Sequence, residues 1–216
     1  KGFDGDSCGL NIAIDPQSQD IGQGVALPLY ASGIRSVGWW AMFITMVGDG
    51  TAFLSLVFAY FFYFTIHPEF PPSGVDGPGL FWPMVSLASM LGAWAAARIA
   101  LRVNRAGSVG MARALMAAGV ALALAGGAAL VWAPYGAGLD PVVHVYQATV
   151  WVIVIWTAAH LAVGALMLAY CLARSFAGKL TPVYDIDISN VALYWHFMAG
   201  TALITVATIA LSPLAA

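Results

Sequence analysis

The sequence predicts an all-α fold: a polytopic bundle of five transmembrane helices with the N-terminus inside and the C-terminus outside. Composition, five long apolar stretches and a one-sided distribution of cations predict it. Of 216 residues, 61% are hydrophobic and 8% are charged, and the mean hydropathy is +0.85. A soluble domain carries roughly 25% charged residues, so an ordinary water-soluble enzyme is excluded. Eight Lys and Arg against ten Asp and Glu give a net charge of −2. That balance offers no basic footprint for nucleic acid.

Residues 1–36 come first and read as a polar tail or linker, rich in Asp, Gln, Gly and Ser, without the charged and apolar regions of a signal peptide. A hydrocarbon core of about 30 Å takes about 20 helical residues. Within the membrane domain 37–212, stretches of that length fall at Gly38–Ile66, Leu80–Leu101, Ala112–Ala133, Val143–Ala173 and Val191–Leu211. His67-Pro68-Glu69-Phe70-Pro71-Pro72 closes the first, and Pro134-Tyr135-Gly136 is expected to end the third. Thr181-Pro182 precedes the fifth. The first and fourth exceed what a bilayer needs and should tilt or project. The third, with Ala121, Ala123, Ala125, Gly126, Gly127 and Ala128, suits close helix contacts. Residues 213–216 form a short C-terminal end.

With five spans, Lys1, Arg35, Arg98, Arg102, Arg105, Arg113, Arg174 and Lys179 all fall on one side, and segments 67–79 and 134–142 on the other contain no Lys or Arg. The positive-inside rule places the cationic side in the cytoplasm. Cys8 and Cys171 form no zinc spacing or disulfide framework and are expected as free thiols.

Ionisable groups at membrane depth are functional candidates, because burying them costs at least a few kcal/mol. Asp49 lies in Gly48-Asp49-Gly50-Thr51, roughly 16 Å into its span. His160 lies roughly 20 Å into the fourth span from the same side, so the two can meet if their helices are neighbours. Two readings stay open: a hydrogen-bonded pair that fixes helix packing, or a proton-linked pair. His196, in Tyr194-Trp195-His196-Phe197, falls near the cytoplasmic surface, where Tyr and Trp form the usual interfacial belt. It reads as a capped, partly hydrated histidine, and its depth differs from that of His160 by roughly 10 Å, a poor pairing for a haem. His67 and His144 read as loop residues. Cys171 and Met167 are too sparse a set for copper. No catalytic triad, phosphate-cradling glycine loop or paired-carboxylate site is present. The run Phe58-Ala59-Tyr60-Phe61-Phe62-Tyr63-Phe64 bulks the outer half of the first span.

Three features in order carry a resemblance: Gly48-Asp49 followed by Phe58-Ala59-Tyr60-Phe61, then His160-Leu161-Ala162-Val163-Gly164, then Tyr194-Trp195-His196-Phe197. Over about residues 35–211 the chain resembles cytochrome c oxidase subunit III of the heme-copper oxidases. Leu27-Pro28-Leu29-Tyr30-Ala31-Ser32-Gly33 and Gly38-Trp39-Trp40-Ala41-Met42 make it most similar to the subunit III-like part of bacterial oxidases in which subunits I and III are fused. The family's helix carboxylate is usually Glu where this chain has Asp49. A histidine commonly stands where this chain has Thr157, and an acid where it has Ala199.

The resemblance implies an accessory subunit of a terminal oxidase in the bacterial inner membrane, with no catalytic, cofactor or metal residues of its own. Heme and copper would belong to its partners, subunits I and II, in a complex that reduces oxygen to water and translocates protons. The chain would stabilise subunit I, with the tail as a linker covalently continuous with it or as the start of a divided chain, hold phospholipid and sustain proton uptake. Asp49, His160 and His196 are its buried polar or proton-linked candidates, and Gly164, Tyr194, Trp195 and Phe197 its motif residues. Arg98, Arg102, Arg105 and Arg113 are its candidate lipid-headgroup contacts. The alternatives are the equivalent subunit of a quinol oxidase, or a small proton-coupled transporter with Asp49 and His160 as its relay.

Overall fold

The computed structural model describes residues 36–212; Lys1, Cys8, Arg35, the 27–33 motif and residues 213–216 lie outside them. The described chain forms five helices long and apolar enough to cross a membrane. They are α1 (Val37–Ile66), α2 (Phe81–Arg105), α3 (Val109–Gly136), α4 (Val145–Phe176) and α5 (Ile186–Val206), the last continuing as a π-helical turn over Ala207–Leu211. No strand occurs among the described residues. The chain is a multi-pass helical membrane protein.

Local chemistry explains the boundaries. Ser36 caps α1, its Oγ accepting from the Trp39 amide at 3.3 Å. His67 is extended at the other end, as a residue before proline prefers. Helix α2 ends in Ala106-Gly107-Ser108, with Gly107 at φ +81°. There the Ser108 amide donates to the Val103 carbonyl and the Gly107 amide to Asn104, a Schellman turn that needs a left-handed residue. The same two hydrogen bonds recur at Ala137-Gly138-Leu139 and Ala177-Gly178-Lys179.

The Pro134-Tyr135-Gly136 segment does close α3, but the helix runs to Gly136, three residues past the expected Ala133. Pro134 lies buried inside it. It sits within a turn of the natural stop, and its carbonyl accepts from the Leu139 amide at 3.0 Å as part of the closing turn. Helix α5 also starts earlier than hydropathy indicates, because its first turn is polar: Asp187, Ser189 and Asn190 precede the apolar run.

Helices α2, α3, α4 and α5 form a ring of neighbours, α2 on α3, α3 on α4, α4 on α5 and α5 on α2. Small residues bring α2 and α3 together. A methyl group on Gly126 would lie 3.2 Å from Ser89 Cβ, and Ser86 Oγ donates to the Gly126 carbonyl at 2.8 Å. One core cluster, around Met90, Met116, Leu168, Trp195 and Met198, fills the half nearer the arginines, called here the basic end. A second, around Tyr60, Phe70, Tyr146, Ile153 and Ile209, fills the far end.

Helix α1 stands outside the ring, against α4 and α5. Only Phe53 and Tyr60 of it are buried. Its exposed surface has a bulky stripe, including Phe43, Val47, Leu54, Phe58 and Phe61. A second exposed stripe is small: Ala41, Thr45, Gly48, Ala52 and Ser55. Asp49 lies where that small stripe meets the packed face.

Candidate functional site: the α1–α4–α5 junction

Asp49 reaches α4 midway along the bundle. Its Oδ2 lies 3.6 Å from His160 Nε2, an ion-pair distance, with the Asp49 side chain 35% exposed and that of His160 19% exposed. The other ring nitrogen, His160 Nδ1, is 2.8 Å from the Trp156 carbonyl one turn earlier. A carbonyl only accepts, so Nδ1 carries a hydrogen and Nε2 is the nitrogen turned to Asp49. The Trp156 ring stacks on the imidazole at 3.7 Å between centroids, 21° from parallel. Phe53 of α1 packs against Trp156 at 4.9 Å.

Helix α5 supplies the rest. Tyr194 donates its hydroxyl to the His160 carbonyl at 2.9 Å. Trp195 is wholly buried and Tyr194 nearly so. The interfacial-belt expectation for these two residues is therefore corrected: both point into the ring, and Gly164 of α4 makes room for them. A methyl group there would come within 3.0 Å of Trp195 Cζ2 and 3.2 Å of Tyr194 Cε1. Phe197 lies 6.3 Å from Trp156, between centroids. Thr157 and Thr205 share a buried hydrogen bond at 2.9 Å, further tying α4 to α5.

The remaining candidates lie apart from this junction. His196 is exposed, its Nδ1 2.6 Å from the Ala192 carbonyl, and its ring meets the edge of Trp94 on α2. Arg105 pairs with Asp185, whose side chain is 5% exposed. Arg113 donates to Ser175 Oγ and the Ser175 carbonyl and covers the Phe176 ring at 4.5 Å. Arg98 and Arg102 lie on the last turns of α2. At the far end His67 closes α1 and His144 caps α4, accepting from the Tyr146 amide; their rings stand 4.7 Å apart. Cys171 is a free, buried thiol.

A groove that no sequence motif marks lies at the basic end. A hollow of about 380 Å³ runs between α1, α4 and α5, lined by Met42, Val163, Leu166, Met167, Asp187 and Asn190 among others. Asp187 also borders a hollow of about 450 Å³ with Arg174, Lys179, Thr181 and Tyr184. Arg174 pairs with Asp187 at 2.7 Å. Only the fold joins these residues, although Arg174 and Lys179 are legible as a cationic helix end.

Residues distant in sequence thus build one polar junction inside an apolar helical bundle. That geometry defines a multi-pass membrane protein with an ionisable pair at membrane depth. No protein-family model matches the chain, and no curated protein matches it.

Proposed function

We propose that the chain is an accessory membrane subunit of a heme-copper terminal oxidase, resembling cytochrome c oxidase subunit III. The observation that supports the reading best is the convergence of the three segments that carry the resemblance. Asp49 of α1, His160 and Gly164 of α4, and Tyr194 and Trp195 of α5 meet at one junction. Heme and copper belong to subunits I and II in this reading, and this chain supports subunit I and proton uptake. It lies in a bacterial inner membrane with its basic end in the cytoplasm, because the described cations gather there. The groove from Val163 to Arg174 spans about 16 Å of α4 and has the shape and polarity to hold a phospholipid, its headgroup beside the cationic rim.

Affinity purification of the tagged chain from its native membrane tests the assignment. The expected result is a complex that carries heme and copper in partner chains, with oxygen consumption that depends on an electron donor. Cytochrome c or quinol supplied in turn identifies that donor. A chain isolated alone, or with partners that carry no heme, overturns the reading.

A further inference from the structure

We propose that Asp49 and His160 form a one-proton clasp: a single proton between His160 Nε2 and the Asp49 carboxyl holds α1 on the bundle, and gain of a second or loss of the first releases it. The Trp156 carbonyl, 2.8 Å from His160 Nδ1, commits that nitrogen's hydrogen to α4. The stacked Trp156 ring and the Tyr194 bond to the His160 carbonyl hold the imidazole in this orientation. Only Nε2 is left to face Asp49, at 3.6 Å. With one proton between them the pair attracts, whether it is imidazolium with carboxylate or imidazole with carboxylic acid. With none, a bare nitrogen lone pair faces a carboxylate. With two, an imidazolium faces a carboxylic acid and no counter-charge remains. Both outer states leave an uncompensated charge in apolar surroundings, where it is costly.

The neighbours leave this proton as the deciding one. On α1 the only charged residue is Asp49, and on α4 it is Arg174. Arg174 pairs with Asp187 of α5, 14 residues or about 21 Å along α4 from His160. From α5, Tyr194 is the titratable group beside the pair, and its hydroxyl is committed to the His160 carbonyl. His196 turns to Trp94 instead. Helix α3, on the other side of α4, carries Arg113 and Tyr135, one near each end. Because α1 buries only Phe53 and Tyr60, loss of the pair's attraction falls on a helix with few other holds. The clasp belongs to this chain's own helices and stands or falls separately from the oxidase assignment.

Spin labels at Ile44→Cys on α1 and Leu166→Cys on α4, both highly exposed sites, measure the contact in lipid vesicles. The full chain carries Cys8→Ser and keeps the buried Cys171. Dipolar coupling between the labels is expected to peak at intermediate pH and be lost on both the acid and the alkaline side. Asp49→Asn should keep the acid-side loss, because an imidazolium there still has no counter-charge, and abolish the alkaline loss, because the amide donates to bare Nε2. Wild-type coupling that does not change with pH overturns the clasp, and so does the same peaked profile in Asp49→Asn. Nitrogen NMR supplies a second measurement. Nδ1 of His160 should stay protonated throughout, and a bare Nδ1 at the coupling maximum also overturns it.

Discussion

Gly164 is the residue on which the packing of α4 against α5 turns, because two buried aromatic rings occupy the space a side chain would need. Gly164→Ala forces Trp195 or Tyr194 to move and should destabilise the protein by about 1–3 kcal/mol, the usual cost of overpacking. Gly200→Ala on α5, where nothing lies within 4 Å, is the control and should be neutral or slightly stabilising. Thermal unfolding in detergent compares the two; equal melting temperatures would remove the steric account. The Arg105–Asp185 pair makes a second residue-scale prediction. Asp185 is buried and Arg105 is half exposed, so their loss is unequal in effect. Arg105→Ala strands a buried carboxylate and should destabilise more than Asp185→Ala, which leaves an arginine able to reach water. The same melting assay reads the difference, and the reverse order would show that Asp185 owes its burial to other partners.

Among the elements, α2 and α3 form the tightest pair and α1 the loosest attachment. Ser86 donates across the α2–α3 contact to the Gly126 carbonyl. Ser86→Ala should cost about 0.6 kcal/mol, an average value for a hydrogen bond between membrane helices. Gly126→Val should cost more, because its Cβ already meets Ser89 Cβ at 3.2 Å and Met90 Cγ at 3.3 Å. Amide exchange resolved by helix tests the other extreme. Opening should be easiest in α1, which buries two residues, and hardest in α5, whose burial is the most extensive. Slower exchange in α1 than in α5 would mean that a partner covers α1 under the conditions used.

For the whole molecule, topology is the first expectation. Reporter fusions at Gly107 and Gly178 should both report the cytoplasm, and a fusion after Ser212 the opposite side. An odd number of spans requires the C-terminal fusion and the two loops to disagree; agreement would break the five-span count. If the oxidase reading holds, gentle removal of this chain should leave heme spectra and initial turnover near normal while shortening working life or slowing proton uptake. Following turnover over many cycles as well as in the first burst distinguishes these outcomes. A lost heme spectrum would assign the chain a structural role at the cofactor, and unchanged lifetime and proton uptake would leave scaffolding alone.

The sequence by itself determined the class, the five apolar spans of the described residues and the end of the bundle that carries the cations. Each follows from one-dimensional quantities: apolar length against bilayer thickness, and the order of charged segments along the chain. It also placed Asp49 and His160 at compatible depths, since helical rise converts residue counts into distance. Boundaries were legible less completely. The Ala-Gly pairs at 106–107, 137–138 and 177–178 mark three helix ends more faithfully than hydropathy or Pro134, because a left-handed stop is a backbone signal. What only tertiary structure decided is which faces meet. Tyr194 and Trp195 have the composition of an interfacial belt, yet they fill the core because Gly164, 30 residues before Tyr194, leaves them room. The tautomer that turns His160 Nε2 toward Asp49, the exclusion of α1 from the ring and the groove beside Arg174 likewise depend on helix rotation and pairing. In a chain whose helices are apolar on nearly every side, hydrophobic periodicity says little about rotation, so close packing and a few polar contacts fix it.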